Sequence, residues 1–246
     1  MIKIENVEVM GWEAAIRGMR NPMNSHKKSD SEFNVSCNIC DNVYYDCDTC
    51  PVSGMQDVAL IGPNDLSLMN KLVKAGTDHR KFMRMITVYL DIAAPLYWWK
   101  EFDTYKVGTV ANSCSTMHKI AEREFTLDDF SHEHLITREK PLLEGVDAPK
   151  PPNAIWLIHR TIQTLNQYRD LYLQTKDKKY WWQMIQLLPS SYNQRRTVML
   201  NYEVLANIYK SRRNHKLDEW RELCAWIEDL PYSELITGVL DGTDNN

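Results

Sequence analysis

Apolar residues recur every three or four positions along several stretches of the chain, which is the spacing of an amphipathic helix. The longest such stretch covers residues 153–175 and reads NAIWLIHRTIQTLNQYRDLYLQT. Shorter helices are predicted over residues 12–20, around 204–210 and from Leu217 onward. The apolar face of the longest helix would carry Ile155, Ile158, Ile162, Leu165, Tyr168 and Tyr172. The face of the last helix would carry Trp220, Cys224, Ile227 and Leu230.

The segment GPNDLSLMNKLVKAG predicts a further helix with recognisable ends. Asn64 or Asp65 would cap its N-terminus and Gly76 would end it, because short polar side chains and glycine favour those two positions. Its apolar stripe would consist of Leu66, Met69, Leu72 and Val73.

Two segments have the pattern of strands instead. The opening MIKIENVEVM alternates apolar and polar residues, and residues 82–92, FMRMITVYLDI, are rich in β-branched and aromatic residues. Residues 121–152 are polar and contain four prolines, which predicts loops and short helices, and the final DGTDNN predicts a frayed tail. The pattern as a whole predicts a helix-rich α+β single domain over residues 1–246 with a small mixed or antiparallel sheet.

A crowded aromatic and charged segment follows the second strand. Pro95 stands where helices begin, and LYWWKEF continues from it. Trp98 and Trp99 are adjacent and would point about 100° apart on a helix, so at least one is expected in the core. The charged residues around them are Lys100, Glu101, Asp103 and Lys106. Such a helix would pack its apolar face on the domain and present its polar ends to a ligand.

Composition narrows the class of protein. The 246 residues are 43% hydrophobic and 25% charged, which is typical of a globular chain that buries a core. The net charge of −4 gives no global basic field, so we expect neither nucleic acid nor membrane as a partner. Since no apolar run approaches the ~18 residues that span a bilayer, and the N-terminus lacks a signal-peptide core, a cytoplasmic location is expected.

Four of the six cysteines lie close together in CNICDNVYYDCDTC. Cys37, Cys40, Cys47 and Cys50 form two Cys-x-x-Cys turns, and two such turns complete a tetrahedral zinc site in a reducing compartment. The alternative is a loop of free or disulfide-forming thiols. Four protein ligands would make the zinc structural, and its polar flanks predict that residues 30–55 are an inserted loop ordered by the metal.

Familiar catalytic templates are missing from the chain. No P-loop, G-x-G-x-x-G, H-E-x-x-H or G-x-S-x-G occurs. Cys114 lies four residues before His118, and on a helix the two side chains would share a face, where a protonated histidine activates a thiol as a nucleophile. Cys114 is therefore interpreted either as a nucleophile or as an incidental thiol.

A dense basic segment stands out in this acidic chain. It consists of Arg195, Arg196, Lys210, Arg212, Arg213, His215 and Lys216, with Asn201 and Asn207 among them. Arginine forks suit phosphate, and amide side chains suit the edge of a heterocycle. The alternatives are a phosphate or nucleotide site and a solvated helix end whose cations favour the helix dipole.

These segments together resemble the flavin-dependent thymidylate synthases of the ThyX type. VMGWEAAIRGMR is similar to an early family segment, and DIAAPLYWWKEF is similar to the family's strand, A-P and aromatic helix in the same order. LLPSSYNQRRTVMLNYEVLANIYKSRR aligns without gaps to a stretch in which the family has L-P and then N-x-R-S-L-x-N-F-L-x-L-R. The matching positions are Leu188, Pro189, Asn201, Leu205, Asn207 and Arg212. The resemblance covers most of the chain and depends on order and spacing.

The chain departs from the family at positions that hold ligands there. The family's R-H-R signature falls on Thr104, Tyr105 and Lys106, and eight residues separate Lys106 from a retained serine, Ser115. A lysine neutralises phosphate but does not grip it with two parallel hydrogen bonds as arginine does. Three further family residues, a glutamine and two arginines, fall on Glu101, Ile185 and Glu203.

The resemblance implies flavin-dependent one-carbon (methyl) transfer from methylenetetrahydrofolate to a pyrimidine deoxynucleotide, with FAD and NADPH. The departures from the family leave two alternatives for the substrate, dUMP and an altered nucleotide. It also implies a homotetramer with sites between subunits. The implied flavin contacts are Thr104, Tyr105, Lys106, Asn201 and Asn207, and the implied nucleotide contacts are Lys100, Glu101, Ser115 and Arg212. Among these, Ser115, Glu101 and Arg212 would be catalytic. The alternatives are an inactive nucleotide-binding protein on the same fold and a transferase that uses Cys114.

Overall fold

The computed structural model describes residues 1–33, 59–137 and 153–238. Within these ranges the strands are β1 (Lys3–Met10), β2 (Glu32–Phe33), β3 (Ala59–Leu60), β4 (Thr87–Pro95), β5 (Val110–Ser113) and β6 (Asn193–Asn201). The helices are α1 (Trp12–Arg20), α2 (Pro63–Lys74), α3 (Leu96–Phe102), α4 (Ala154–Thr175), α5 (Lys178–Leu187), α6 (Tyr202–Arg212), α7 (Asp218–Glu228) and α8 (Glu234–Thr237).

Four strands form one sheet in the order β1-β4-β6-β5, and β2 pairs antiparallel with β3. The prediction of a helix-rich α+β fold with a small sheet is confirmed. The contacts divide the chain into two compact units. Unit 1 comprises Met1 and residues 93–102 and 113–196, and unit 2 comprises residues 2–92, 103–112 and 197–246. The prediction of a single domain with an inserted segment at 30–55 stays a prediction.

Unit 1 is built around helices α4 and α5, which pack against each other. The predicted face of α4 is buried through Ile158, Ile162 and Leu165, which pack in one cluster with Met184 of α5 and Phe130. Asn153 caps α4 as its side chain accepts a hydrogen bond from the backbone of Trp156, at 3.3 Å. Helix α5 has no counterpart in the sequence-based prediction, because its aromatic and charged residues follow no clear apolar stripe over only ten positions.

Unit 2 packs α1, α2 and α6–α8 around large aromatic side chains. The ring of Trp12 meets the edges of Tyr202 and Tyr232 with centroids 5.3 and 5.2 Å apart. Trp220, Cys224, Ile227 and Leu230 are buried as the pattern predicts. Such burial of aromatic rings supplies much of the apolar area that holds a domain together.

The prediction for the start of α2 is wrong in its detail. Pro63 occupies the first helical position, and the side chain of Asp30 accepts hydrogen bonds from the backbone N–H groups of Asn64 and Asp65. Asp65 is fully buried and pairs with Arg20 at 2.6 Å instead of capping. Gly76 does follow the end of the helix, with φ of +97° that glycine adopts at little cost.

The prediction of a strand over residues 82–92 also needs correction, and one strand of the sheet was not predicted. Residues Lys81–Arg84 form a 3-10 turn, and β4 begins only at Thr87 and continues through Pro95. The stretch NQRRTVMLN forms β6, which was not predicted, because its charged and amide residues hide the alternation of buried Gln194, Val198 and Leu200. None of the described helices combines the length and the apolar character needed to cross a bilayer.

Candidate functional site

Helix α3 owes its mixed composition to a buried aromatic cluster. Trp98, Trp99 and Phe102 are all buried, with ring centroids 4.9 to 5.2 Å apart. The indole N–H of Trp99 donates to the backbone oxygen of Gln194 at 2.9 Å. Both tryptophans therefore belong to the core, while Lys100 is exposed and Glu101 half-buried.

The guanidinium of Arg196 covers this aromatic cluster from the strand side. Its Cζ lies 4.2 Å from the centre of the Trp99 ring, and its Nε donates to Gln194 Oε1 at 3.0 Å. A planar guanidinium stacked on an indole face is well suited to such a position. The basic segment of the sequence is therefore divided between the units, with Arg195 and Arg196 in unit 1 and Lys210 to Lys216 in unit 2.

Tyr105 and Arg212, both predicted site residues, lie together in unit 2. The Nε of Arg212 donates to the hydroxyl of Tyr105 at 3.0 Å, and its Cζ lies 4.7 Å from the centre of the Trp220 ring. The Tyr105 and Trp220 rings meet edge to face with centroids 5.9 Å apart. Because Trp220 is fully buried, this arrangement holds a half-buried arginine in a fixed orientation. Sequence patterns assigned Trp220 to the core alone, since its contact with Arg212 depends on how two helices pack.

The two residues that flank Tyr105 are open to solvent. Thr104 and Lys106 are exposed, while Tyr105 is half-buried. Gly108 follows with φ of +78°, and a Cβ there would lie 2.9 Å from Nδ2 of Asn201 and 3.2 Å from a methyl of Val204. The loop thus passes close to the first turn of α6 in a conformation that favours glycine, and a Cβ at this position would push the Asn201 amide aside.

The two predicted amide residues of α6 differ in their surroundings. Asn201 is buried, and its Oδ1 caps the helix by accepting from the backbone of Val204 at 3.0 Å. Asn207 is exposed. The capping bond uses one lone pair of the Asn201 oxygen, and the NH₂ group is the donor that this side chain offers to a ligand.

The family arginine that falls on Glu203 is replaced by part of a buried ion pair. Arg80 and Glu203 are 5% and 6% exposed, and their side chains form parallel hydrogen bonds of 2.9 and 3.1 Å. A paired carboxylate of this kind is committed to the fold. Glu203 therefore occupies a structural position in this chain.

Ser115 lies in unit 1, among the residues that line an open cleft of about 160 Å³. Its hydroxyl accepts a hydrogen bond from the backbone of His118 at 3.2 Å. Charged groups on the cleft wall include Lys119, Arg123 and Arg195. Lys119 pairs with Glu122 and Arg123 with Asp129, and the ion pair with Asp129 raises the pKa of Arg123. The cleft is therefore lined by charges of both signs.

Cys114 lines the same cleft, but not in the way predicted. Residues 114–118 form a turn and no helix, so the premise that Cys114 and His118 share a helical face is wrong. The backbone of Cys114 is held on both sides, since its N–H donates to Arg195 and its oxygen accepts from the side chain of Gln194 at 3.0 Å. Its side chain is exposed and forms no disulfide.

The zinc hypothesis concerns residues outside the described ranges. Cys37, Cys40, Cys47 and Cys50 all lie between residues 33 and 59. Among the described residues, no group of three or more His, Cys, Asp or Glu side chains is arranged to hold a metal ion. A zinc site at these four cysteines stays a prediction.

Comparisons with known proteins show which solved structures share this fold. No protein-family model matches the chain, and no curated protein matches its sequence. Two solved structures of the flavin-dependent thymidylate synthase ThyX from Helicobacter pylori, each with FAD and dUMP, match with TM-scores of 0.59 and 0.60 at 15% identity. The matches cover 95% and 98% of this chain and 98% and 99% of the other chains.

A third structure extends the comparison. The UMP/dUMP methylase PolB from Streptomyces cacaoi, bound with 5-Br dUMP, matches with a TM-score of 0.52 at 15% identity and covers 96% of this chain and 95% of its own. Likeness at this level of identity establishes the fold. The chain therefore has a ThyX-like fold over nearly its whole length.

Proposed function

We propose that this protein is a flavin-dependent enzyme that modifies a pyrimidine nucleotide by one-carbon (methyl) transfer. The observation that carries the proposal is the fold, which matches structures named for FAD and dUMP over nearly the full length of both chains. The match to PolB, named as a UMP/dUMP methylase, supports the same class of substrate. By analogy, methylenetetrahydrofolate and NADPH are the proposed co-substrates and a homotetramer the proposed assembly.

The residues of this chain fit a flavin in part. Tyr105 offers an aromatic face, exposed Lys106 offers a cation for the pyrophosphate, and exposed Asn207 offers both a donor and an acceptor for a heterocycle. When bound, a flavin supplies the redox chemistry that amino-acid side chains lack. In the proposal, Thr104, Tyr105, Lys106, Asn201 and Asn207 position the flavin.

A second group of residues is proposed to bind the nucleotide. Arg212, already oriented by Tyr105 and Trp220, would bind an anionic or carbonyl group of the substrate without a further loss of side-chain freedom. Lys100, Glu101 and Ser115 are the proposed remaining contacts, as the resemblance implies. Ser115, Glu101 and Arg212 are the proposed catalytic residues.

A second candidate function is nucleotide binding without turnover. Glu203 favours it, because a position that carries an arginine in the resembling family is here committed to a buried pair with Arg80. The change of R-H-R to Thr104, Tyr105 and Lys106 favours it as well, since two strong phosphate-binding groups are replaced. A transferase that uses Cys114 is the weakest candidate, because Cys114 and His118 do not lie together on a helix.

Flavin titration tests the proposal. FAD added to the purified protein should bind saturably, as measured by quenching of flavin fluorescence, and Lys106→Ala should weaken that binding about tenfold through loss of one charge-assisted contact. Lys74→Ala removes an exposed lysine at the end of α2 and serves as the matched control. The combined change Thr104→Arg, Tyr105→His and Lys106→Arg should strengthen FAD binding by restoring the family signature.

The same material distinguishes the two candidate functions. If neither the wild-type protein nor the triple variant binds FAD while dUMP still raises the melting temperature, the enzyme proposal is wrong and nucleotide binding without turnover stands. If FAD binds, dUMP-dependent oxidation of NADPH by the flavin-loaded protein is the assay for turnover.

A further inference from the structure

A second cavity in unit 1 lies outside the residues assigned above. It is an open pocket of about 420 Å³ where α4 ends and α5 begins, beside the turn after Ser115. We call it the lysine pocket. It is lined by Met117, His118, Tyr172, Lys176, Lys178 and Trp181. The set combines two aromatic rings with two ammonium groups and an imidazole, and it includes no carboxylate.

The two ammonium groups of the lysine pocket rest on aromatic faces. Nζ of Lys176 lies 5.9 Å from the centre of the Tyr172 ring, and Nζ of Lys178 lies 5.6 and 5.8 Å from the rings of Trp182 and Trp181. The adjacent carboxylate, Asp177, pairs with Lys179 at 3.0 Å. Lys179 also lies over a ring, with Nζ 4.7 Å from the centre of Tyr180, so its ion pair with Asp177 is what distinguishes it from the other two lysines. Within the described part of the chain, Lys176 and Lys178 have ring contacts alone, which leaves their charge available to an anion.

The walls of the pocket are held in place by hydrogen bonds. The indole N–H of Trp181 donates to the backbone oxygen of Met117 at 3.0 Å, which ties α5 to the turn that carries His118. The backbone N–H of Lys176 donates to the oxygen of Tyr172 at 2.8 Å, in the left-handed conformation with φ of +57°. Glycine or asparagine usually ends a helix in this way, so the conformation here fixes a lysine side chain at the helix end.

We propose that the lysine pocket is a binding site for an aromatic anion, meaning a planar ring that carries a phosphate or carboxylate group. The ring packs against Tyr172 and Trp181, as bases do on aromatic side chains. The anionic group binds the ammoniums of Lys176 and Lys178, which exchange a weak ring contact for a charge-assisted hydrogen bond. His118 supplies a further ring nitrogen. This inference does not rest on the proposed flavin chemistry.

The experiment uses AMP as the probe, because it joins a purine ring to a phosphate. Binding of AMP, adenosine and inorganic phosphate is measured by isothermal titration calorimetry at low salt. AMP should bind saturably, and adenosine and phosphate should each bind at least about tenfold more weakly, since each supplies only half of the contacts. Phosphate binding as tight as AMP would overturn the aromatic part of the proposal, and no AMP binding would overturn it entirely.

Matched variants locate the site. Lys176→Met and Lys178→Met should each weaken AMP binding about tenfold, while Lys179→Met, whose ammonium is paired with Asp177, should stay within about twofold of wild type. Equal losses in all three variants would show a diffuse basic surface and overturn the site.

Tyr172→Leu tests the ring contact on a half-buried side chain. It should weaken AMP binding while leaving phosphate binding unchanged, with the far-UV circular dichroism confirming that the helices are intact. Unchanged AMP affinity in a folded Tyr172→Leu protein would contradict the stacking. Failure of flavin binding would bear on the proposed function alone, since none of these measurements uses flavin.

Discussion

At the scale of single residues, the surroundings of an arginine decide what it is able to bind. Arg212 donates to Tyr105 and lies over Trp220, whereas the next residue, Arg213, is exposed. A guanidinium held by a ring on one face and a hydroxyl at Nε keeps its remaining N–H groups in one direction. The two arginines are adjacent in sequence, but these contacts orient the side chain of Arg212 and not that of Arg213. The two are therefore a suitable pair for comparison.

Arg212→Ala should weaken binding of dUMP by about 2 kcal/mol, or roughly thirtyfold, through loss of a charge-assisted contact. Arg213→Ala is the matched control and should change the affinity by less than threefold, on the order of a surface charge effect. Calorimetric titration of both variants measures the difference. Equal losses would mean that a diffuse basic surface, and no oriented arginine, attracts the nucleotide.

At the scale of secondary-structure elements, the loop after α3 and the first turn of α6 depend on one another. Gly108 lies so close to Asn201 and Val204 that an added Cβ would displace the Asn201 side chain, and Asn201 in turn caps α6. Helix α6 also carries Glu203, whose buried pair with Arg80 anchors its first turn. These contacts make α6 the element against which the loop that carries Thr104, Tyr105 and Lys106 packs.

Gly108→Ala should reduce the free energy of unfolding by about 2 to 3 kcal/mol, because it adds the cost of a left-handed alanine to displacement of the Asn201 cap. Gly76→Ala is the matched control, since Gly76 also has positive φ but nothing lies within 4 Å of its added Cβ. It should cost only the backbone term, about 1 kcal/mol. Urea denaturation measures both variants, and equal costs would show that the contact with Asn201 has no effect on stability.

At the scale of the whole molecule, buried ion pairs make stability depend on pH. Burial by itself would raise the pKa of Asp65, but hydrogen bonds from Ser31, Ser29 and Arg20 outweigh it and lower the pKa below its ordinary value. A carboxylate with a lowered folded-state pKa stabilises the fold above its unfolded pKa of about 3.9, and this contribution is lost as pH falls through the folded value.

Asp65→Asn should therefore reduce the free energy of unfolding by about 3 kcal/mol at neutral pH, because Arg20 is left buried without its counter-charge. The difference from wild type should begin to shrink below about pH 4, where the carboxylate of the unfolded chain takes up its proton, and should be lost only as pH falls through the lower folded-state pKa of Asp65. Glu13→Gln, at an exposed pair with Arg17, should cost about 0.5 kcal/mol or less. A difference that is the same at neutral and acidic pH would contradict the linkage to Asp65.

The apolar pattern of the sequence was sufficient for the elements with long, regular stripes. Helix α4 and the buried face of α7 follow directly from residues such as Ile158, Leu165 and Trp220, because each side chain's burial is set by its own helical period. The order of motifs also pointed to the ThyX-like fold, which the solved structures establish. Helix α5 and strand β6 were missed, since their amide, charged and aromatic residues obscure the local period.

The sequence by itself determined which residue types are available, including Tyr105, Lys106 and Arg212, because chemistry belongs to the side chain. Only the tertiary structure decided their surroundings: Arg212 lies against Trp220, and Glu203 is committed to Arg80. It also brought Met117, Tyr172 and Trp181 to one pocket. Such contacts join residues far apart in the chain, and the free energy of packing and desolvation that selects them is a property of the folded molecule, which no local pattern records.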